Sequence, residues 1–211
     1  MTFELKDITK IYIIESPSST DILDNRKEGY ALSEILKLAD IQNQYYNVVD
    51  RKNLFECLNR IHNDAKTING GLGHVIMHIS MHGNSDGLGL TNEEFISWKE
   101  FAVILSDFNT KLGYIDFGNG FKCSPIAINM SSCKGFNAKA INEYSTESLY
   151  STLVGPIESV NWSDSLLAFA TYYHNTIHKT NTIRVAVDVM NKSAGLKNIF
   201  QVDAAKGLGI K

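Results

Sequence analysis

The sequence is poor in proline and cysteine, and it contains no long apolar run and no block of like charge. Only three prolines and three cysteines occur among the 211 residues. No apolar run approaches the roughly 18 residues that a membrane-spanning helix needs. The first residues are charged and lack the apolar centre of a secretory signal. These absences predict a cytoplasmic protein that has no membrane partner.

The three cysteines, Cys57, Cys123 and Cys133, are odd in number and irregularly spaced. That pattern matches neither a disulfide framework nor a zinc ribbon, and it suits a reducing compartment. Cys57 and Cys123 are expected to be small buried hydrophobic residues. The formal net charge is −3 and the basic residues are not clustered. A sequence-independent nucleic-acid surface usually needs such a cluster, so we expect no nucleic-acid partner.

Apolar segments alternate between strand-like and helix-like patterns without a linker or an internal repeat, which predicts a single domain over residues 1–211. Strands are predicted at residues 10–15, 45–50, 74–81, 125–130, 149–154 and 199–202. Helices are predicted at residues 28–40, 54–61, 95–112, 163–177 and 182–190. This order predicts an α/β fold with an open, mostly parallel sheet of about six strands and helices on both faces. In such sheets, sites lie at the carboxyl ends of the strands.

Two residues with the chemistry of a nucleophile and its base follow neighbouring strands of this predicted sheet. His82 follows the third strand, and Cys133 follows the fourth. A thiol near an imidazole can become a reactive thiolate at neutral pH. Gly83 allows the backbone to approach a substrate closely, because it has no Cβ atom. The backbone amides of Gly83 and Cys133 are candidate donors to an oxyanion.

The other histidines do not predict a metal site. His74, His78 and His82 are spaced by four, but on a strand the outer two lie about 26 Å apart at roughly 3.3 Å per residue, too far for one ion. We therefore expect structural roles for His74 and His78. His174 and His178 have helical spacing, yet no acidic or cysteine partner flanks them in the way a metal would require.

The spacing of the two motifs resembles that of the caspase-like (clan CD) superfamily. The segment Cys133-Lys134-Gly135 follows His82 by 51 positions, and caspases place Cys-x-Gly about 50 residues after their histidine. Residues 154–173, a strand followed by a helix rich in small and aromatic residues, resemble prokaryotic caspase-like and CHAT-type domains. The chain departs from many relatives at Ser131, where they have an aspartate.

The resemblance implies a caspase-hemoglobinase-like three-layer sandwich and a cysteine endopeptidase with a Cys133–His82 dyad and no cofactor. It implies a protein substrate, an activating or regulatory protein partner, and a role in prokaryotic antiviral defence or cell death. In relatives the loop after the first strand helps to form the substrate pocket. Here that loop offers Asp21, Asp24 and Arg26, and Ser131 is a further candidate. The carboxylates would select a basic substrate residue, whereas an inward-pointing Arg26 would select an acidic one. Alternatively, all three side chains are solvated.

Two other functions remain open from the sequence. One is a catalytically silent caspase-like module that binds a protein partner. The other is a flavodoxin-like nucleotide binder, which shares the predicted sheet but would need a glycine-rich phosphate loop after the first strand. The sequence has no such loop, whereas it retains both His82 and Cys133.

Overall fold

The computed structural model describes residues 10–67, 75–116 and 122–205, so the expectation for His74 lies outside the described residues. The first half of the chain contains β1 (Lys10–Ser16), α1 (Ser19–Leu23), α2 (Glu28–Leu38), β2 (Asn43–Asn47), α3 (Arg51–Ala65), β3 (Val75–Gly83), β4 (Gly87–Gly89), β5 (Phe95–Ser97) and α4 (Trp98–Leu112). The second half contains β6 (Ile115–Asp116), β7 (Lys122–Cys123), β8 (Ile126–Ser131), a 3₁₀ segment (Gly135–Tyr144), β9 (Thr152–Pro156), α5 (Trp162–Tyr173), a π-helical turn (His174–His178), α6 (Ile183–Ser193) and β10 (Phe200–Ala204).

A mostly parallel sheet forms the centre of the fold, as the sequence predicted. Its strands lie in the order β10-β9-β8-β3-β1-β2. The pairs β1–β2, β1–β3, β3–β8 and β8–β9 are parallel, and β10 is antiparallel to β9. The short strands β4 and β5 extend β3 as an antiparallel hairpin and bring the sheet to eight strands.

Helices cover both faces of this sheet. On one face, apolar side chains of α3, α4 and the 3₁₀ segment pack against alternate residues of the strands, including Met77 and Ile79 of β3. On the other face, α2, α5 and α6 pack against β1 and β9. Burial on both faces explains why the central strands read as almost continuous apolar runs in the sequence.

The segment from Phe95 to Leu112 is not one continuous helix, so that prediction was wrong at its start. Phe95–Ser97 is β5, because it pairs with β4 over three residues. Ser97 then begins α4 through a capping box, in which its hydroxyl accepts from the amide of Glu100 and the Glu100 carboxylate accepts from the amide of Ser97. Such a cap stabilises a helix start by about 1 kcal/mol. The helix therefore begins three residues later than periodicity alone indicated.

Several other boundaries differ from the prediction by a few residues. The second strand ends at Asn47, because Asp50 caps α3 by accepting from the amide of Asn53. The fifth predicted strand lies at Thr152–Pro156, where it pairs with β8. The predicted helix at residues 163–177 is α5 followed by the π-helical turn.

The chain order places a topological switch point between β1 and β3. From β1 the chain passes to β2 on one side, and it then returns to form β3 on the other side of β1. Loops that leave the carboxyl ends of two such strands diverge and open a crevice between them. The loop after β1 carries Asp21, and β3 carries His82 near its end. None of the helices in the described ranges combines the length and apolar character that a membrane crossing requires.

Candidate active site

His82 and Cys133 lie side by side at the carboxyl edge of the sheet. Strands β3 and β8 are parallel and in register, with Ser80 opposite Ser131. His82 and Cys133 each follow that pair by two residues, so the register brings them to the same level. Both line a cavity of about 180 Å³, together with Met81, Ser131, Ser132, Val160, Asn161 and Trp162.

Two glycines allow the backbones around this cavity to approach closely. A Cβ atom on Gly83 would lie 2.9 Å from the carbonyl oxygen of Cys133 and 3.1 Å from the Cβ of Ser132. A Cβ atom on Gly135 would lie 2.6 Å from the Cβ of Met130. Lys134, between Cys133 and Gly135, adopts a left-handed conformation with φ of 56°. The chain therefore turns sharply just after the cysteine and packs back against the end of β8.

Asp21 holds the imidazole of His82. The carboxylate Oδ2 of Asp21 lies 2.6 Å from His82 Nε2. The side chain of Asp21 is only 4% exposed, whereas that of His82 is half exposed. Asp21 occupies the first turn of α1, where a capping box with Ser18 fixes its position. Because Nε2 is engaged by the carboxylate, Nδ1 is the ring nitrogen that Asp21 does not contact.

The Asp21 carboxylate is stabilised as an anion by several donors. Ser18 donates its hydroxyl to Oδ2 at 2.6 Å and its amide at 3.2 Å. Arg26 Nε lies 3.2 Å from Oδ1. Burial by itself would raise the pKa of Asp21, but the hydrogen bonds from Ser18 and His82 outweigh it and hold that pKa below its usual value. Asp21 is therefore a charged partner for His82 at neutral pH.

The other predicted substrate-binding residues occupy different surroundings. Asp24 and Arg26 are each about half exposed and pair through Arg26 Nη2 and Asp24 Oδ2 at 2.9 Å. Ser131 is buried, and its hydroxyl lies 2.6 Å from that of Ser165 on α5. The structure thus separates the predicted set into a buried carboxylate that contacts His82, a half-exposed ion pair beside it, and a buried serine in the cavity lining.

The segment that leads into α5 lines the same cavity through Val160, Asn161 and Trp162. Cys133 Sγ donates a long hydrogen bond of 3.8 Å to the carbonyl oxygen of Val160. The amide of Lys134 donates to the carbonyl of Glu158 at 3.0 Å. The ring of Trp162 stands edge to face with His82, with 5.3 Å between the ring centroids. These contacts tie the 158–162 segment to both candidate catalytic residues.

The other two cysteines do not line this cavity. Cys57 and Cys123 are buried, as the sequence predicted. Burial raises the pKa of the Cys57 thiol to about 12 and also raises the pKa of Cys123. Cys133 is the more accessible thiol. Among the described residues no cluster of three or more His, Cys, Asp or Glu side chains is placed to hold a metal ion.

Sequence reasoning missed two features of the site. It named Asp21 only as a substrate-binding candidate and did not pair it with His82. The Ser18-x-x-Asp21 spacing is a capping-box signal that could have placed Asp21 in a helical first turn, although not against a residue 61 positions away. Trp162 carried no signal, because a tryptophan at a helix start is ordinarily a packing residue.

Comparison with known proteins gives structural similarity alone. No family model matches the sequence, and no curated protein matches it. The Drosophila initiator caspase Dronc is similar in structure, with a TM-score of 0.55 and 7% identity, over 97% of this chain and 82% of the caspase chain.

Two structures of gingipain are also similar. The Arg-specific cysteine proteinase gingipain R has a TM-score of 0.51 and 12% identity, over 100% of this chain and 49% of the gingipain chain. The complex of the Porphyromonas gingivalis RgpB pro- and mature domains has a TM-score of 0.52 and 10% identity. The similarity covers 100% of this chain and 51% of that chain. This chain thus spans about half of each gingipain chain. The chain has the caspase-like α/β fold that clan CD cysteine peptidases share.

Proposed function

We propose that this chain is a caspase-like cysteine endopeptidase that cleaves a specific protein partner, with Cys133 as nucleophile and His82 as base. One observation carries the proposal. An accessible thiol and an imidazole held by a buried carboxylate line the same cavity, at the carboxyl edge of the sheet. The cysteine peptidases of similar fold support the same reaction class.

In the proposed reaction His82 accepts the proton of the Cys133 thiol, and the thiolate sulfur attacks the carbonyl carbon of the scissile peptide bond. The backbone amides of Gly83 and Cys133 donate to the oxygen that becomes negative. The imidazolium of His82 then gives its proton to the leaving amine as the carbon–nitrogen bond breaks. Water, deprotonated by His82, hydrolyses the thioester, which releases the carboxylic acid product and restores the thiol. The reaction needs no metal or organic cofactor.

Asp21 acts in this scheme as a positioning residue. Its carboxylate accepts from Nε2–H, fixes the tautomer in which Nδ1 is the base, and stabilises the imidazolium that forms. Arg26 holds the other carboxylate oxygen at 3.2 Å. The buried half of the loop after β1 thus serves the base rather than the substrate.

The exposed half of the same loop is the part available to a substrate. Asp24 and Arg26 are half exposed and neutralise one another, and Leu23 beside them is 85% exposed. We propose that a substrate side chain contacts this ion pair and competes for one of its charges. Ser131 lines the floor of the cavity. Whether a basic or an acidic residue is selected depends on which charge the substrate displaces.

We further propose that the resting chain is latent and is activated by a protein partner. The thiol of Cys133 donates to the Val160 carbonyl, so the 158–162 segment competes with His82 for the thiol proton. The site also depends on the loop after β1, and loops that bury little apolar surface are the least stable parts of a domain. The expected setting is a cytoplasmic prokaryotic defence or cell-death system, with residues 1–211 acting as one domain.

Mass-spectrometric mapping of cleavage in a peptide library tests the function. The wild type and Cys133→Ala would be incubated with the library, alone and with candidate partner proteins. Cleavage at a consistent residue by the wild type, without cleavage by Cys133→Ala, supports the peptidase. A wild type that binds a partner tightly but cleaves nothing, with or without it, supports the silent interaction module instead.

A further inference from the structure

The serine before the candidate nucleophile has a buried hydroxyl that forms no hydrogen bond. Ser132 is only 2% exposed. Within the part of the chain that the structure describes, its Oγ has no hydrogen-bond partner. A buried hydroxyl in this state has lost its hydrogen bonds to water without replacing them, so it lowers the stability of the folded protein. Such groups are rare in native proteins, and a catalytic role is one of the reasons for which they persist.

Ser132 lies beside both residues whose amides are candidate oxyanion donors. It lines the same cavity as His82 and Cys133. Its Cβ lies 3.1 Å from the position that a Cβ atom on Gly83 would take. The amide nitrogen of Cys133 is bonded to the carbonyl carbon of Ser132, so covalent geometry keeps the hydroxyl near that amide. The hydroxyl is therefore placed close to the point at which the two amides would hold a substrate oxygen.

The turn after Cys133 encloses this hydroxyl. Ser132 Oγ lies 2.9 Å from the position that a Cβ atom on Gly135 would take. The amide of Gly135 donates to the carbonyl oxygen of Ser132 at 2.9 Å and holds the turn closed. A side chain on residue 135 would collide with the hydroxyl, whereas glycine leaves it room. Because a hydroxyl proton can rotate about the Cβ–Oγ bond, it can turn to a new acceptor without a movement of the backbone.

Two neighbouring serines each share only part of this description. Ser131 is also buried, but its hydroxyl lies 2.6 Å from that of Ser165 and is paired with it. Ser80 on β3 is buried, and its hydroxyl also lacks a partner among the described residues. Ser80 is not one of the residues that line the cavity, however. Of these serines, Ser132 is the one that combines an unpaired hydroxyl with a place beside the nucleophile.

We propose that Ser132 is a catalytic residue whose hydroxyl donates a further hydrogen bond to the oxyanion, beside the amides of Gly83 and Cys133. This inference rests on the proposed peptidase function. As the Cys133 sulfur bonds to the carbonyl carbon, the π electron pair moves to the carbonyl oxygen, and the Ser132 hydroxyl donates to that oxygen while it keeps its own proton. When the carbon–nitrogen bond breaks, the double bond forms again and the hydrogen bond weakens.

The lack of a partner in the resting protein favours this role. A hydroxyl that was already bonded to a protein group would have to break that bond before it could serve the substrate. Ser132 has no such bond to break, and its donor acts in a buried position where electrostatic interactions are strong. The hydrogen bond strengthens as negative charge develops in the transition state. It is therefore expected to raise kcat more than it lowers KM.

The first test is the steady-state kinetics of the wild type, Ser132→Ala and Ser80→Ala on a peptide that the wild type cleaves. Loss of one oxyanion donor is expected to lower kcat of Ser132→Ala by about 100-fold, with KM changed by less than about twofold. Ser80→Ala is the matched control, because it removes a buried, unpaired hydroxyl from the neighbouring strand, away from the cavity lining. It is expected to keep the kcat and KM of the wild type.

Urea unfolding separates this catalytic role from a structural one. Because the hydroxyl has no partner in the resting protein, its removal breaks no hydrogen bond and relieves an unfavourable burial. The urea midpoint of Ser132→Ala is therefore expected to equal or exceed that of the wild type. A lower midpoint, or a Ser132→Ala protein that does not fold, would show that the hydroxyl stabilises the resting structure and would overturn the proposal.

A peptide aldehyde probes the oxyanion position directly. The Cys133 sulfur adds to the aldehyde carbon, the thiol proton passes to His82, and the aldehyde oxygen takes the negative charge. The dissociation constant of the aldehyde is expected to rise by about 100-fold in Ser132→Ala. The peptide alcohol of the same sequence has no electrophilic carbonyl, and its affinity should not change. Equal losses for the aldehyde and the alcohol would place the hydroxyl in ground-state binding and would overturn the proposal.

The outcomes distinguish this inference from the proposed function. If the wild type cleaves the peptide and Ser132→Ala has the same kcat and the same aldehyde affinity, the role of Ser132 is overturned and the proposed function stands. If the wild type cleaves no peptide, with or without a protein partner, the proposed function is overturned, and the role of Ser132 with it. A loss of kcat and of aldehyde affinity in Ser132→Ala alone, at an unchanged or higher urea midpoint, is the result that supports the proposal.

Discussion

Asp21 and His82 are joined by a 2.6 Å contact between the Asp21 Oδ2 and the His82 Nε2 across the switch point of the sheet. The contact links the loop after β1 to the end of β3 and leaves Nδ1 as the ring nitrogen that the carboxylate does not engage. The proposed Cys133–His82 dyad therefore gains a third residue, the buried carboxylate of Asp21 that holds His82.

The role of Asp21 is tested by Asp21→Asn. The amide keeps the volume of the side chain but removes the charge that stabilises the imidazolium, and we expect kcat/KM to fall by about 100-fold or more. Asp107→Asn is the control, because Asp107 is an exposed aspartate on α4 that lies outside the proposed site. We expect it to retain the general peptidase activity. Equal losses in both variants would remove Asp21 from the mechanism.

Asp21 also predicts a pH dependence of stability. Its pKa is held below the ordinary value of 3.8, against the effect of burial, by hydrogen bonds from Ser18 and His82. A carboxyl whose pKa is depressed on folding stabilises the protein above its unfolded pKa and loses that contribution as pH falls through the folded value. The stability advantage of the wild type over Asp21→Asn should therefore shrink below pH 3.8. Urea unfolding at pH 3 and pH 6 measures it, and an advantage that grows on acidification would contradict the assignment.

The order of thiol reactivity is a further prediction. Because burial raises the pKa of Cys57 to about 12 and raises that of Cys123, neither is expected to react in the native protein. Cys133 is expected to be alkylated first by iodoacetamide, as followed by peptide mass spectrometry. Modification of Cys57 before Cys133 in the folded chain would contradict the site.

The close approach at Gly83 predicts that Gly83→Ala loses both stability and activity. In Gly83→Ala the new methyl group would lie 2.9 Å from the Cys133 carbonyl oxygen. We expect the backbone at Cys133 to shift, with a loss of about 1–3 kcal/mol in the free energy of unfolding and a fall in kcat/KM. Gly89→Ala, on the paired strand β4, is the control, because its methyl group would meet its nearest neighbours at 3.8 and 3.9 Å. Similar kinetics for the two variants would show that the contact at Gly83 has no catalytic consequence.

The sequence predicted most of the sheet because burial on two faces leaves a clear pattern. Apolar runs such as Ile126–Ser131 cannot lie in exposed structure, and their order along the chain implied a parallel sheet. The hairpin of β4 and β5 was missed, because strands of three residues are too short to show alternation. The helix boundary at Ser97 depended on a cap and a strand pair, which periodicity does not detect.

The site was predictable only where strand order was sufficient to place it. In the predicted sheet His82 and Cys133 follow adjacent strands, so their proximity could be argued from topology alone. The partnership of Asp21 with His82 depends on how the loop after β1 folds over the crevice, and that is a tertiary contact without periodicity. The same holds for Ser132, because neither its burial nor its place in the cavity lining could be read from the sequence.

The central claim is that Cys133 and His82 act as one catalytic unit. Its most direct test is the kcat/KM of Cys133→Ala, His82→Ala and the double variant on a peptide that the wild type cleaves, with circular dichroism as the control for folding. Groups that act together are non-additive, so each single variant should lose at least about 10⁴-fold and the double variant little more. Substantial turnover by a folded Cys133→Ala protein, or losses that multiply in the double variant, would contradict the claim.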